Sequence, residues 1–120
     1  MSTFKSKKIK KNISFKDVQK IDIRVGEILK VEDIEASNDL MKLTVDFGDF
    51  KRTIVAGIKN ERENPKEIEG VQGLFVVNMP AKEMFGITSE GILFDLGYEN
   101  GITPVLAVPE KKVPNGTCAG

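Results

Sequence analysis

Two polar stretches of the chain carry the side chains that could do chemistry. The first is a segment of alternating polar and apolar residues, 41–58, whose exposed face offers cations. The second is the loop that follows the apolar run at residues 74–77, so that polar groups stand at the rim of a rigid sheet, where binding residues are often found. The candidate binding residues are Lys42, Lys51, Arg52, Asn78, Lys82, Ser89 and Glu90.

Each of these side chains also has an interpretation that involves no ligand. A single lysine is more often a solvated surface charge than a contact residue. Asn78 at a strand end could bond its own backbone in a turn, and Ser89 and Glu90 could cap the loop. The binding interpretation depends on a fold that brings the residues into one groove.

The composition argues against catalysis. The chain has no histidine, which removes the commonest general base and any Ser-His or Cys-His nucleophile, and its single cysteine is Cys118. With no histidine and one cysteine, the chain lacks the ligands of a structural zinc site. Residues 86–91 are glycine-rich but lack the lysine of a phosphate-binding loop. Glu61 and Glu63 lie in a polar run that indicates solvated surface. We therefore expect a protein that is not an enzyme and uses no cofactor or metal.

The formal net charge of zero conceals an uneven distribution. The first twelve residues hold five lysines and no acid, which leaves 13 basic and 18 acidic residues in the remainder. We expect residues 1–12 to be a basic, flexible arm and residues 13–120 to be the folded domain. The arm is either a solvated tail or a contact for RNA, because a nucleic-acid binder needs a basic footprint that the acidic body lacks.

Length and hydropathy indicate a single soluble domain. A chain of 120 residues can bury a core without disulfides or metals. No apolar run approaches the roughly 20 residues of a membrane span, and the lysine-rich start leads into no segment typical of a secretory signal. One cysteine allows no internal disulfide. A cytoplasmic location without membrane contact is therefore expected.

Local patterns predict short strands and two small helices. Ser14 can cap a helix at 15–20, and Pro65 opens a single helical turn at 64–69. Gly26 lies inside the first strand and predicts a bulge or sharp bend there. The second and third strands form a hairpin, and prolines confine the last strand to an edge. The predicted strands are 21–31, 41–47, 51–58, 71–79, 91–96 and 103–108.

The order of these elements favours an all-β fold with short helices. A long bent first strand and one small helix between the third and fourth strands are typical of the oligonucleotide/oligosaccharide-binding (OB) fold, a five-stranded Greek-key barrel. Here the barrel would carry N- and C-terminal extensions. A generic β-sandwich is the alternative. An OB barrel brings its second and third strands and its loops onto one groove, which would unite the candidate residues.

Six short motifs, taken in order, resemble the tRNA-binding domain family. The first, IDIRVGEI at 21–28, is similar to the DIRVGxI opening of that family. The others are VDFG at 45–48, IVAG at 54–57, VNMP at 77–80, GITSEG at 86–91 and VPNGT at 113–117. The family includes the C-terminal dimerisation domain of methionyl-tRNA synthetases, free-standing tRNA-binding proteins and the secretion chaperone CsaA. The resemblance covers roughly residues 15–120.

The resemblance implies an OB-fold homodimer that recognises the shape of tRNA, with little dependence on its base sequence. It would act alone or as a separate subunit beside an aminoacyl-tRNA synthetase, as a methionyl-tRNA synthetase beta subunit does. Cations and amides would contact phosphates and sugars. The groove implied by the family's pattern contains Lys51, Arg52, Asn78, Lys82, Ser89 and Glu90.

Two alternatives remain open. The VNMP and VDFG motifs are closer to CsaA, which binds exposed segments of unfolded preproteins, whereas residues 89–92 resemble the tRNA-binding form. In a CsaA-like protein Met79, Met84 and Phe85 would supply adaptable apolar contacts. The acidic body also permits an interaction module whose RNA site has decayed.

Overall fold

The computed structural model describes residues 4–120 and shows a mostly β protein. Residues 1–3 of the predicted arm lie outside the described residues, and residues 4–12 are exposed and form neither helix nor strand. The elements are α1 Phe15–Gln19, β1 Ile23–Asp33, β2 Met41–Asp46, β3 Lys51–Ala56, β4 Gln72–Val76, β5 Lys82–Met84, β6 Ile87–Ser89, β7 Ile92–Leu96 and β8 Val105–Leu106, with 3₁₀ turns at Pro65–Ile68 and Tyr98–Asn100. None of the described helices is long and apolar enough to cross a membrane.

Both predicted helices are confirmed, with ends shifted by one residue. Ser14 caps α1, because its hydroxyl accepts a hydrogen bond from the N–H of Asp17 while the Asp17 carboxylate bonds the N–H of Ser14. Asn64 caps the first 3₁₀ turn by accepting from Lys66 N–H, and Pro65 occupies its first position, where a missing N–H costs nothing. Local capping signals are sufficient to place both elements.

The predicted hairpin is also confirmed as β2–β3. Met41 pairs with Ala56 at one end and Asp46 with Lys51 at the other. Alternate side chains of β2 are buried, as the pattern of apolar residues predicts.

β1 is bent by a bulge, but the bulge is not at Gly26. The pairing of β1 with β2 shifts between Ile28 and Lys30, so Leu29 has no partner and two successive side chains are exposed. Pairing with β4 is regular at Gly26. The glycine is needed for packing, since a Cβ there would lie 2.5 Å from Cγ1 of Val45. The prediction of a bulge at Gly26 is therefore wrong, because the bulge lies three residues later, at Leu29.

Six strands form one curled antiparallel sheet in the order β3-β2-β1-β4-β7-β8, a half-barrel that confirms an all-β, OB-like fold. β8 lies at the edge of the sheet, as its flanking prolines predict. All six predicted strands are present, the last of them as β8, and the β5–β6 pair is additional to the predicted strands. The most deeply buried side chains are Ile28, Val31, Leu43, Val45, Ile54, Ile58 and Phe75.

The free edge of β3 contacts the residues that connect β6 to β7. The N–H of Glu90 donates to Thr53 O over 2.9 Å, and the N–H of Val55 donates to Oγ of Ser89 over 3.0 Å. A side-chain oxygen thus takes the place of a backbone carbonyl at one step of a strand-like contact. We call this contact between β3 and residues 89–90 the seam.

Residues 78–91 are predicted to be a loop, and this prediction is wrong for residues 82–84 and 87–89. β5 and β6 form a hairpin in which Met84 is opposite Ile87, and Phe85 and Gly86 make the turn. Both turn residues have positive φ, 51° and 77°, as a type I′ turn requires. Strands of three residues are too short to show alternation, and Phe-Gly is not among the usual turn pairs, so the sequence carries little signal for this hairpin.

Candidate nucleic-acid interface

Three candidate residues lie in one row across the seam. Lys42 of β2 is opposite Val55 of β3. The N–H of Val55 is bound by Ser89, and Ser89 is opposite Lys82 of β5. Neighbouring strands lie about 5 Å apart, so the backbones of the two lysines flank the seam at a separation of roughly 15 Å. Lys82 is exposed and Lys42 is half-buried.

The outer face of the β2–β3 hairpin carries another exposed lysine, Lys51. Lys51 is opposite Asp46, and Thr53 is opposite Thr44. These pairs share a face with Lys42, because every second residue of a strand points the same way. Lys51 is exposed at the end of this face. The fold therefore brings Lys42 and Lys51 onto one surface and places Lys82 across the seam from them.

Sequence reasoning missed a further cation on this face, Lys30. The bulge in β1 places Lys30 opposite Thr44 of β2. Glu32 lies between the lysines, with its carboxylate 3.7 Å from Lys30 Nζ and 4.0 Å from Lys42 Nζ. The only signal for Lys30 is its position in a strand, and the pairing register that aligns it with β2 depends on the bulge. We call Lys30, Lys42, Lys51 and Lys82 the lysine surface.

Arg52 lies on the other side of β3 from Lys51. Its Nη1 atom donates to Val77 O over 2.6 Å and to Glu90 O over 3.1 Å. It therefore ties β3 to the residues that follow β4 and precede β7. The structure separates the predicted pair, because Lys51 faces solvent whereas the half-buried Arg52 guanidinium is bonded to backbone carbonyls.

Asn78 links the end of β4 to the start of β1. Its Nδ2 donates to Lys20 O over 2.6 Å, and its Oδ1 accepts from the N–H of Asp22 over 2.9 Å. These bonds span more than fifty residues, so the local-turn interpretation is wrong. The guanidinium of Arg24 hydrogen-bonds the Asp22 carboxylate and holds the pKa of that group below its usual value.

Ser89 and Glu90 form the hydrogen bonds of the seam. Ser89 is 2% exposed, and its hydroxyl accepts from Val55 N–H and donates to Gly91 O over 3.3 Å. Glu90 contributes its backbone N–H and C=O to Thr53 and Arg52. The candidates thus differ: Lys51 and Lys82 are exposed, Lys42 is half-buried, the side chains of Arg52, Asn78 and Ser89 are bonded within the chain, and Glu90 is bonded through its backbone only.

A second exposed surface is apolar and lies on the outer side of β4, β7 and β8. Ile92, Phe94 and Leu96 alternate along β7 with 45–52% exposure, and Leu96 is opposite Val105 of β8. The surface continues through Val76 to a cleft of about 580 Å³ beside α1. The cleft is lined by Phe15, Val18, Gln19, Ile21, Ile23, Ala119 and Gly120. We call this surface the apolar face, and contiguous apolar surface of this kind marks interaction sites.

Fold and site together define a β half-barrel that binds through its surface. Within residues 4–120, no group of three or more His, Cys, Asp or Glu side chains is placed to hold a metal ion. The chain belongs to the family described as "Putative tRNA binding domain", whose model matches residues 23–118. The family resemblance of the sequence motifs is therefore confirmed.

Known relatives agree with this assignment. The methionine–tRNA ligase of Archaeoglobus fulgidus is 41% identical over 108 residues, which are 90% of this chain and 16% of the ligase. The chain thus spans about one sixth of that relative's length. Among solved structures, a MetRS-related protein from Pyrococcus horikoshii has a TM-score of 0.84 and 33% identity, over 92% of this chain and all of that one. The chaperone CsaA from Bacillus anthracis has a TM-score of 0.79 and 29% identity over the same shares.

Proposed function

We propose that the chain is a non-catalytic cytoplasmic domain that binds tRNA by its shape as a homodimer, alone or as an accessory subunit of methionyl-tRNA synthetase. The family assignment supports tRNA as the ligand, and the ligase relatives support the connection with a synthetase. The observation that carries the proposal is the pair of lysines, Lys42 and Lys82, on either side of the seam.

The lysine surface suits contacts with phosphates. An ammonium group binds a phosphate without reading the base, so recognition depends on where the phosphates lie in space. Lysines spaced across roughly 15 Å would contact phosphates several nucleotides apart. In this proposal Arg52, Asn78, Ser89 and Glu90 are positioning residues, because their internal hydrogen bonds hold the strands that carry the lysines.

The apolar face supports the homodimer. Homodimer interfaces are more apolar than the rest of a protein surface, and a two-fold axis pairs one patch with itself. The face lies on β4, β7 and β8, whereas the lysines lie on β1, β2, β3 and β5, so dimerisation would leave both lysine surfaces open. Phe94→Glu should yield a monomer in analytical ultracentrifugation, and Thr88→Glu on the exposed side of the β5–β6 hairpin should not. A wild-type monomer at all concentrations would rule out this part of the proposal.

Residues 1–12 are proposed to add affinity for RNA through their five lysines. Lys10 Nζ lies 4.0 Å from the Glu99 carboxylate, beside the 3₁₀ turn that follows β7. Deletion of residues 1–12 should then weaken tRNA binding and leave the melting temperature unchanged. Unchanged affinity would show that the arm is a solvated tail.

Titration of unfractionated tRNA at two salt concentrations tests the main proposal. Each phosphate contact releases counterions, so affinity should fall steeply between about 50 and 200 mM salt. Lys82→Glu should weaken binding further. Lys111→Glu is the matched control, because Lys111 is exposed beside Gly70 and Val71, at the opposite end of β4 from Asn78. Absence of binding, or equal effects of the two variants, would contradict the proposal.

A peptide-binding chaperone is the second candidate function. It is favoured by the structural likeness to CsaA and by two exposed apolar side chains near the lysine surface, Met79 and Phe85. The partner would be an unfolded preprotein. Apolar capture weakens little with salt, so the same titration with a reduced, unfolded polypeptide in place of tRNA separates the two functions.

A further inference from the structure

Phe85, at the tip of the β5–β6 hairpin, is both exposed and held in an unfavourable backbone conformation. It is 56% exposed, and its φ of 51° lies in the left-handed region. Asn, Asp or Gly normally occupies this position of a type I′ turn, because a bulky side chain is disfavoured there. The ring gains little burial that could offset this strain. A strained and exposed residue points to a role outside the folding of the chain.

The Phe85 ring is largely open to solvent at the end of the hairpin. Glu83 and Thr88 are exposed on the outward side of the hairpin, and a Cβ added to Gly86 would have nothing within 4 Å. More than half of the Phe85 side chain is accessible, so a partner molecule can reach the ring. An open ring suits a flat partner that stacks on its face.

The hairpin also places the ring near a cation of the lysine surface. Lys82 precedes Phe85 by three residues, a distance of about 10 Å along an extended strand. Lys82 is opposite Ser89, whose hydroxyl lies in the seam. A single RNA strand that crosses the seam could therefore place a phosphate at Lys82 and a base at Phe85.

We propose that Phe85 is a stacking platform for an unpaired nucleobase of the bound RNA. The inference rests on the proposed function and adds a base contact to the phosphate contacts. Stacking on an aromatic ring tolerates any base, but it requires that the base be unpaired and turned outward. The protein would then discriminate between RNA with exposed loop bases and a continuous duplex.

The substitution Phe85→Asn separates stability from binding. Asn fits the left-handed turn position, so the melting temperature should rise by about 4 °C. Loss of the ring should weaken binding of unfractionated tRNA about tenfold. Binding of a 20-base-pair RNA duplex with no unpaired base should change less than about twofold, because it depends on the lysines alone. Phe85→Trp should keep tRNA affinity within about threefold of wild type, and Thr88→Ala is the control on the same hairpin.

Several results would overturn the inference. Equal tRNA affinity of wild type and Phe85→Asn would show that the ring makes no contact with RNA. Equal losses for tRNA and duplex would indicate a general disturbance of the lysine surface. A loss confined to an unfolded polypeptide would assign the ring to peptide capture. In each case salt-sensitive tRNA binding by the wild type would leave the proposed function standing, whereas a wild type that binds no tRNA would remove both.

Discussion

The seam and the lysine surface are adjacent regions, yet they use polar groups in opposite ways. In the seam, the side chains of Arg52 and Ser89 are bonded to backbone atoms of distant segments. On the lysine surface, Lys51 and Lys82 are exposed to solvent. The comparison teaches that a polar residue beside a β-barrel groove contacts a ligand only if the fold has not already used its hydrogen-bonding atoms.

The largest expected effect is the loss of Arg52 from the seam. Arg52→Met would leave Val77 O and Glu90 O without their charged donor, so the free energy of unfolding should fall by about 3 kcal/mol. Lys51→Met, one residue away on the exposed face, should change it by less than about 0.5 kcal/mol. Urea denaturation of both variants measures the difference. Equal free energies of unfolding would contradict the distinction between the bonded Arg52 and the exposed Lys51.

Ser89→Ala should have the next largest effect. The buried N–H of Val55 would lose its acceptor, which should cost about 2 kcal/mol of unfolding free energy. The opening free energy that hydrogen exchange measures at the Val55 amide should fall by about the same amount. Thr88→Ala is the control, since Thr88 is exposed on the same strand. A neutral Ser89→Ala would mean that this hydrogen bond does not stabilise the seam.

Lys82→Met should show the reverse behaviour. Lys82 is exposed on a short surface hairpin, so stability should stay within about 0.5 kcal/mol of wild type. Loss of one phosphate contact should weaken tRNA binding about fivefold near 0.1 M salt. Fluorescence anisotropy and thermal melting of the same sample give both values. Lower stability with unchanged affinity would show that Lys82 stabilises the fold and does not contact RNA.

The smallest effect concerns two half-buried carboxylates away from the seam, Glu61 and Asp95. Burial raises the pKa of Asp95 in β7, and burial together with the charge of Asp95 raises the pKa of Glu61. The ionised carboxylates are therefore less favourable in the folded state than in the unfolded state. Their contribution to stability is greatest below the unfolded pKa, near 3.8 for Asp95, and falls as the pH rises through the raised folded value.

Asp95→Asn should consequently be more stable than wild type at pH 7, by about 0.5 kcal/mol for a partly exposed charge. The difference should shrink as the pH approaches 4, because the wild-type carboxyl is then protonated as well. Urea denaturation at pH 7, 5.5 and 4 follows the trend. A difference that grows on acidification would show that Asp95 is stabilised as an anion, by the nearby Arg62.

The sequence was sufficient for elements with local signals. α1, the β2–β3 hairpin and the 3₁₀ turn after Asn64 follow from caps and alternation, and the motifs identified the family. The inward direction of Arg52 was also readable, because it alternates in step with Ile54 and Ala56 of the same strand. What the sequence does not contain is register between distant segments. The bulge at Leu29, the bonds of Asn78 and the Ser89 contact all depend on such pairing.

The salt dependence of tRNA affinity in the Lys42→Met/Lys82→Met double variant tests the division between seam and lysine surface most directly. If the two ammonium groups each contact a phosphate, the slope of log affinity against log salt should be shallower than the wild-type slope by about 2, with the melting temperature unchanged. A slope equal to that of the wild type would contradict the account, because RNA would then bind elsewhere on the protein.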